Sequence, residues 1–224
     1  MAENLIVLLI LIVMSIALAY SGFKKVPGIG ILLSLAGIGA ALWLKYTTWA
    51  GLGFFPQTNW LNTVGLGLLL GAGIAILGII LIDPLAEKIT GKPHDYSIVE
   101  GVRGDPRTLA ATVALVWVTV AFIEEILFRG FFMTELVKVL GQSGVALALN
   151  SFLTAMVFGL AHWYQGRSGV LSSGTISVLI SLIFIWSGFN LWLVILLHGF
   201  IDTTYLVLMY GSWDKALHQL FWKV

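Results

Sequence analysis

An all-α polytopic membrane protein, with about seven (six to eight) transmembrane helices in one bundle, is the fold class that three observations predict. The 224 residues are 59% hydrophobic and only 10% charged, and the mean hydropathy of +0.99 lies far outside the range of a soluble globular domain. Apolar runs long enough to span a bilayer follow one another along the chain. The basic residues divide unequally between the two ends of those runs, as a fixed orientation requires.

Taken in order, the runs predict helices near 4–22, 28–44, 61–82, 108–140, 144–165, 171–187 and 190–210. The first ends in Ala17-Leu18-Ala19, which looks like a signal-peptide cleavage site. However, MAEN carries only Glu3 where a secretory segment is basic, so the sequence predicts a retained transmembrane helix. With the N-terminus outside, seven crossings put nine basic residues on the cytoplasmic side, from Lys24 to Lys223, against Lys45 and Lys138 outside, with Arg129 buried. That bias predicts a multi-pass protein of the cell membrane with its C-terminus in the cytoplasm. Gly67 and Gly71 form a GxxxG on the third helix, expected to let another helix pack closely. Pro84, Pro93 and Pro106 punctuate 83–107, predicting a cytoplasmic loop with a short interfacial helix near 84–90. A straight fourth helix from Arg107 to Leu140 would be ~50 Å long against a core of ~30 Å, so it should project or bend, with Gly130 a candidate kink. Within the single domain 1–224, the helices of 1–82 carry no motif and 108–210 form the expected catalytic core.

The composition also narrows the chemistry. A net charge of +1 offers no basic surface for nucleic acid, so the expected partners are lipid and membrane-borne molecules. With no cysteine there is no disulfide and no thiolate nucleophile or ligand. Neither a GxSxG elbow nor an HExxH helix is present. The lysines lie in loops or at membrane boundaries, and Asp83 sits at a helix end beside Pro84, leaving Asp202 as the expected buried aspartate.

Against this apolar background, VAFIEEILFRGFF (120–132) holds Glu124, Glu125 and Arg129, where each uncompensated charge costs at least ~2.5 kcal/mol on insertion scales. Glu125 and Arg129 are four residues apart and predict an ion pair. Glu124, about 100° away around the helix, is left as the candidate base, and one carboxylate of the two is expected to face the histidines. Phe158 and His162 share a face of the fifth helix; His198 and Asp202 share a face of the seventh, with Tyr205 on the same side. A lone histidine in a helix is most often core. Concentrating two histidines and the buried carboxylates in three segments is costly, however, and points to function. The set supplies a base, a second proton carrier and hydrogen-bond donors without an obvious nucleophile, so water is the expected attacking group.

In these segments the chain resembles the CAAX prenyl protease and bacteriocin-processing family of intramembrane endopeptidases, whose pattern is EExxxR, FxxxH and HxxxN or HxxxD. Glu124 to Arg129, Phe158 to His162 and His198 to Asp202 match it in order, within about half the chain. The resemblance implies that Glu124 and His162 activate water against a peptide carbonyl, and that His198 and residue 202 steady the oxyanion. It implies a peptide or a prenylated or membrane-bound protein as substrate, Glu125, Arg129 and Phe158 as structural support, and no cofactor. Where the eukaryotic prenyl-protein proteases have asparagine, this chain has Asp202, a donor only when protonated; it is expected to orient His198 or to bind metal. Zinc held by His162, His198 and Glu124 is the alternative within enzymes. A noncatalytic scaffold or a small transporter is the alternative outside them; no inverted repeat supports the common transporter folds.

Overall fold

The computed structural model describes residues 2–222; Lys223, one of the residues in the charge bias, lies outside them. Among the described residues there are helices and loops but no strand. Six helices are long and apolar enough to cross a membrane, and Gly28–Trp43 is a shorter apolar one. We label the elements α1 (Ala2–Phe23), α2 (Pro27–Trp43), α3 (Trp60–Thr90), α4 (Pro106–Leu140), α5 (Gly144–Ala161), α6 (Gly166–Trp186), α7 (Leu191–Tyr210) and α8 (Trp213–Phe221).

The helix starts follow local chemistry. Asn59, Ser143 and Asn190 each accept an N-terminal backbone N–H of the helix that follows, and Asp105 does the same ahead of Pro106 at the first helical position, which satisfies donors a helix cannot pair internally. α1 and α2 form a hairpin, with α1 also against α5; α3 lies along α7, and α5 along α6. The glycine pair predicted to permit close packing does so within the chain: a Cβ at Gly71 would stand 2.6 Å from the Leu197 carbonyl oxygen, and one at Gly67 2.9 Å from Leu196.

Two expectations change. The third helix does not stop near Ile82. It passes through a π-helical turn at Gly78–Ile82 and continues to Thr90; Pro84 has no N–H for the Ile80 carbonyl one turn back, and that carbonyl accepts the Trp222 indole N–H at 2.7 Å instead. The irregular connection is therefore 91–105, which we call the strap. Nor is α4 a straight α-helix. It is π-helical over Val116–Glu124 and again over Ile126–Met133; closing each turn over five residues instead of four shortens the helix for its residue count. The C-terminal α8 was not expected. Its Asp214 carboxylate takes two hydrogen bonds from Arg103, at 2.8 and 2.6 Å, which fastens the far end of the strap.

Candidate active site

The π-helical middle of α4 lies between α5, α6 and α7 and carries the charged residues inward. Glu125 and Arg129 are fully buried and Glu124 nearly so. Arg129 Nη1 donates to Glu125 Oε1 at 2.9 Å, while Nη2 donates to the Ser177 carbonyl at 3.0 Å and to its Oγ at 2.7 Å on α6. Its guanidinium also stands 5.1 Å from the centroid of the Phe158 ring, a cation over an aromatic face.

The two carboxylates do not share a histidine. Glu125 Oε1 lies 2.7 Å from His198 Nδ1 on α7, and Glu124 Oε2 lies 4.0 Å from His162 Nε2 at the end of α5. The expectation that one carboxylate alone would face the histidines is corrected by this geometry: the imidazoles approach α4 from different helices, and π-helical turns reduce the angular step between neighbouring residues. Placing the motif residues at depths counted along straight helices separates them; the folded chain joins them.

His162 Nδ1 is 2.8 Å from the Phe158 carbonyl, so its N–H donates there and the Nε2 lone pair turns toward Glu124. The Phe158 ring stacks on the imidazole with centroids 4.4 Å apart. His198 stands between two carboxylates, with Nε2 3.5 Å from Asp202 Oδ2. Glu124 Oε2 is buried and accepts no hydrogen bond from a described residue. Phe158, His162, His198 and Asp202 line a cavity of about 360 Å³.

A second polar cluster on that wall escapes sequence reasoning. Asp83 is buried, 5% exposed, and not merely a helix end as its proline neighbour suggests. It accepts hydrogen bonds from Ser172, from Tyr96 of the strap at 2.7 Å and from Tyr205 at 2.9 Å. The π-turn beneath it has Gly78, where a Cβ would stand 1.9 Å from the Tyr205 oxygen, so glycine lets that phenol through. Burial and the Asp83 charge push the Tyr96 phenol well above its ordinary value, keeping it a donor. His94 stacks on Tyr96 with centroids 4.1 Å apart, and burial holds its imidazole below the usual value, against the opposing pull of Asp83 and Glu87. The only advance signal was an aspartate one residue past a long apolar run.

In the zinc alternative, with His162, His198 and Glu124 as ligands, His162 would bind through Nε2, since its Nδ1 is turned to the Phe158 carbonyl. His198 directs one ring nitrogen at each of two carboxylates. Among the described residues, no three histidine, aspartate or glutamate side chains group as a metal site.

Compared with models of known protein families, residues 106–204 match the one described as Rce1-like, type II CAAX prenyl endopeptidase Rce1-like. No curated protein and no solved structure gives a match.

Proposed function

We propose, from the premise that residues 106–204 are an Rce1-like domain of the type II CAAX prenyl endopeptidase family, that this multi-pass membrane protein hydrolyses a peptide bond with water activated by Glu124. The observation that carries the mechanism is the pairing of two acceptors. A carboxylate oxygen and an imidazole lone pair face each other across 4.0 Å, a gap over which one water can donate a proton to each at ~2.8 Å. Such a water keeps its own lone pairs for the cavity and for a substrate carbonyl. As it attacks, Glu124 takes a proton and later returns it to the leaving amine. Glu125, Arg129 and Asp202 fix the position of His198 in the cavity wall, and Phe158 holds His162. The substrate is a lipidated or membrane-associated peptide, its apolar part against the Val116, Val120, Ile176 and Ile180 wall.

The test is cleavage of a panel of prenylated and unprenylated peptides by purified protein, with and without a zinc chelator such as phenanthroline. The expected result is cleavage of at least the lipidated peptides at a rate the chelator leaves unchanged. Inhibition by the chelator with recovery on adding zinc would replace the glutamate mechanism by the metal one, and no cleavage anywhere in the panel would remove the peptidase assignment.

We further propose that the strap faces the cytoplasm, with both Lys92 and Arg167 on that side, so that substrate arrives from there. The natural absence of cysteine makes this direct to measure in intact cells. Gln165→Cys is expected to resist an impermeant thiol reagent that labels Gln57→Cys; labelling at 165 from outside would reverse the orientation.

A further inference from the structure

The proposed reaction needs a donor for the oxyanion, and the residues that the motif offers are already engaged. His198 points one nitrogen at Glu125 and the other at Asp202, and Asp202 as a carboxylate only accepts. The remaining hydroxyls of the cavity wall can be taken in turn. Tyr96, Ser172 and Tyr205 all donate to Asp83. Ser173 Oγ donates to Gln165 Oε1 at 3.1 Å. Thr112 is about three turns along α4 from Glu124. Tyr164 is the exception.

Tyr164 lies on the single 3₁₀ turn Trp163–Gln165 that follows α5, two residues after His162, and its ring centroid is 5.6 Å from the imidazole. It lines the same cavity as His162, His198 and Asp202. Its oxygen accepts from Gln165 Nε2 at 3.3 Å, and its own proton has no acceptor among the described residues. Ser173, Gln165 and Tyr164 thus form a chain of hydrogen bonds running in one direction, and the last free donor in that chain is the phenol. Gln165 is anchored in turn, since its carbonyl accepts the Asp95 backbone N–H at 3.1 Å. Each bond in such a chain strengthens the next.

Building on the peptidase reading, we propose that Tyr164 is a catalytic residue whose hydroxyl donates to the oxyanion formed from the substrate carbonyl, the part that an amide at position 202 could otherwise have played. As the water oxygen bonds to the carbonyl carbon, its proton moves to Glu124 and the C=O π pair settles on oxygen. Tyr164 hydrogen-bonds to that oxygen without giving up its proton. When the tetrahedral species collapses, the C–N bond breaks and the amine leaves with the proton that Glu124 carried, so the net change is hydrolysis.

Tyr164→Phe tests this, compared with the parent and with Glu124→Gln on the same peptide. Loss of one such donor typically lowers kcat by ~10²-fold or more, here with KM changing less than about twofold because the bond forms only in the transition state. A peptide aldehyde, whose hydrate presents a tetrahedral oxygen, should lose affinity by a similar factor. Binding of the uncleaved substrate to Glu124→Gln should be the same with and without the added Tyr164→Phe. Rates are compared per folded molecule, and Gln165→Leu, which removes the chain behind the phenol, should show a smaller loss in kcat at unchanged KM. A Tyr164→Phe rate within threefold of the parent overturns the role, as does an equal loss of aldehyde and substrate affinity. If Glu124→Gln abolishes cleavage while Tyr164→Phe does not, the tyrosine role alone fails; if Glu124→Gln also cleaves normally, the underlying peptidase mechanism fails with it.

Discussion

Glu124→Gln should abolish peptide cleavage, with kcat falling by at least the ~10²–10⁴ associated with a lost general base, in protein that folds like the parent. The substitution keeps the length and planarity of the side chain and removes only the ability to take a proton. Folding should tolerate it because Glu124 Oε2 has no hydrogen bond to lose among the described residues, so a neutral amide removes a buried charge without orphaning a partner. The comparison that gives the result meaning is Glu125→Gln. That carboxylate holds both Arg129 and His198, so its loss should lower folded yield and shift the position of His198, with a smaller fall in kcat per folded molecule. Equal rates in Glu124→Gln and parent, measured at matched folded concentration, would remove Glu124 from the chemistry. A deeper loss in Glu125→Gln than in Glu124→Gln would exchange the two roles.

How far the sequence carried this site depends on which contacts are local. Glu125 with Arg129, Phe158 with His162, and His198 with Asp202 are all four residues apart, a spacing that survives whether the helix closes over four or five residues, and each pair meets in the structure. The spans were equally legible, because bilayer thickness sets a run length that composition alone reveals. What one-dimensional periodicity could not supply was the contact between helices. The assignment of one histidine to each carboxylate comes from α5 and α7 meeting α4 on different sides, and π-helical geometry leaves no mark in the residue types. Asp83 was misread for a related reason. Pro84 reads as a stop after an apolar run, and only the packing of Ser172, Tyr96 and Tyr205 around the carboxylate, from three separate segments, reveals that the helix goes on and the charge is enclosed. Tyr164 stood two residues beyond a motif histidine, but its significance depends on where the other hydroxyls send their protons.

Arg129→Ala should destabilise the fold by about 3–5 kcal/mol, the range for removing one member of a buried pair. Its side chain is fully buried and joins three elements at once: Glu125 on its own helix, Ser177 on α6 and the Phe158 ring on α5. Alanine leaves the Ser177 hydroxyl without the Arg129 donor, the carbonyl keeping its bond from Ser181 Oγ at 2.8 Å, opens a large void beneath Phe158, and leaves Glu125 with His198 as its remaining partner among the described residues. Because that histidine stays 2.7 Å away, the carboxylate is not stranded, and the effect should fall toward the lower end of the range. Arg129→Lys keeps a positive charge but not the planar fork that reaches Glu125 and Ser177 together, so it should recover only part of the loss. Unfolding of purified protein in detergent, followed as folded yield and as a denaturation midpoint, measures the single substitutions. A double-mutant cycle with Glu125→Ala then isolates the pair: removing both should cost clearly less than the sum of the two single losses. Parental stability in Arg129→Ala, with activity alone lost, would instead move Arg129 from support into the reaction.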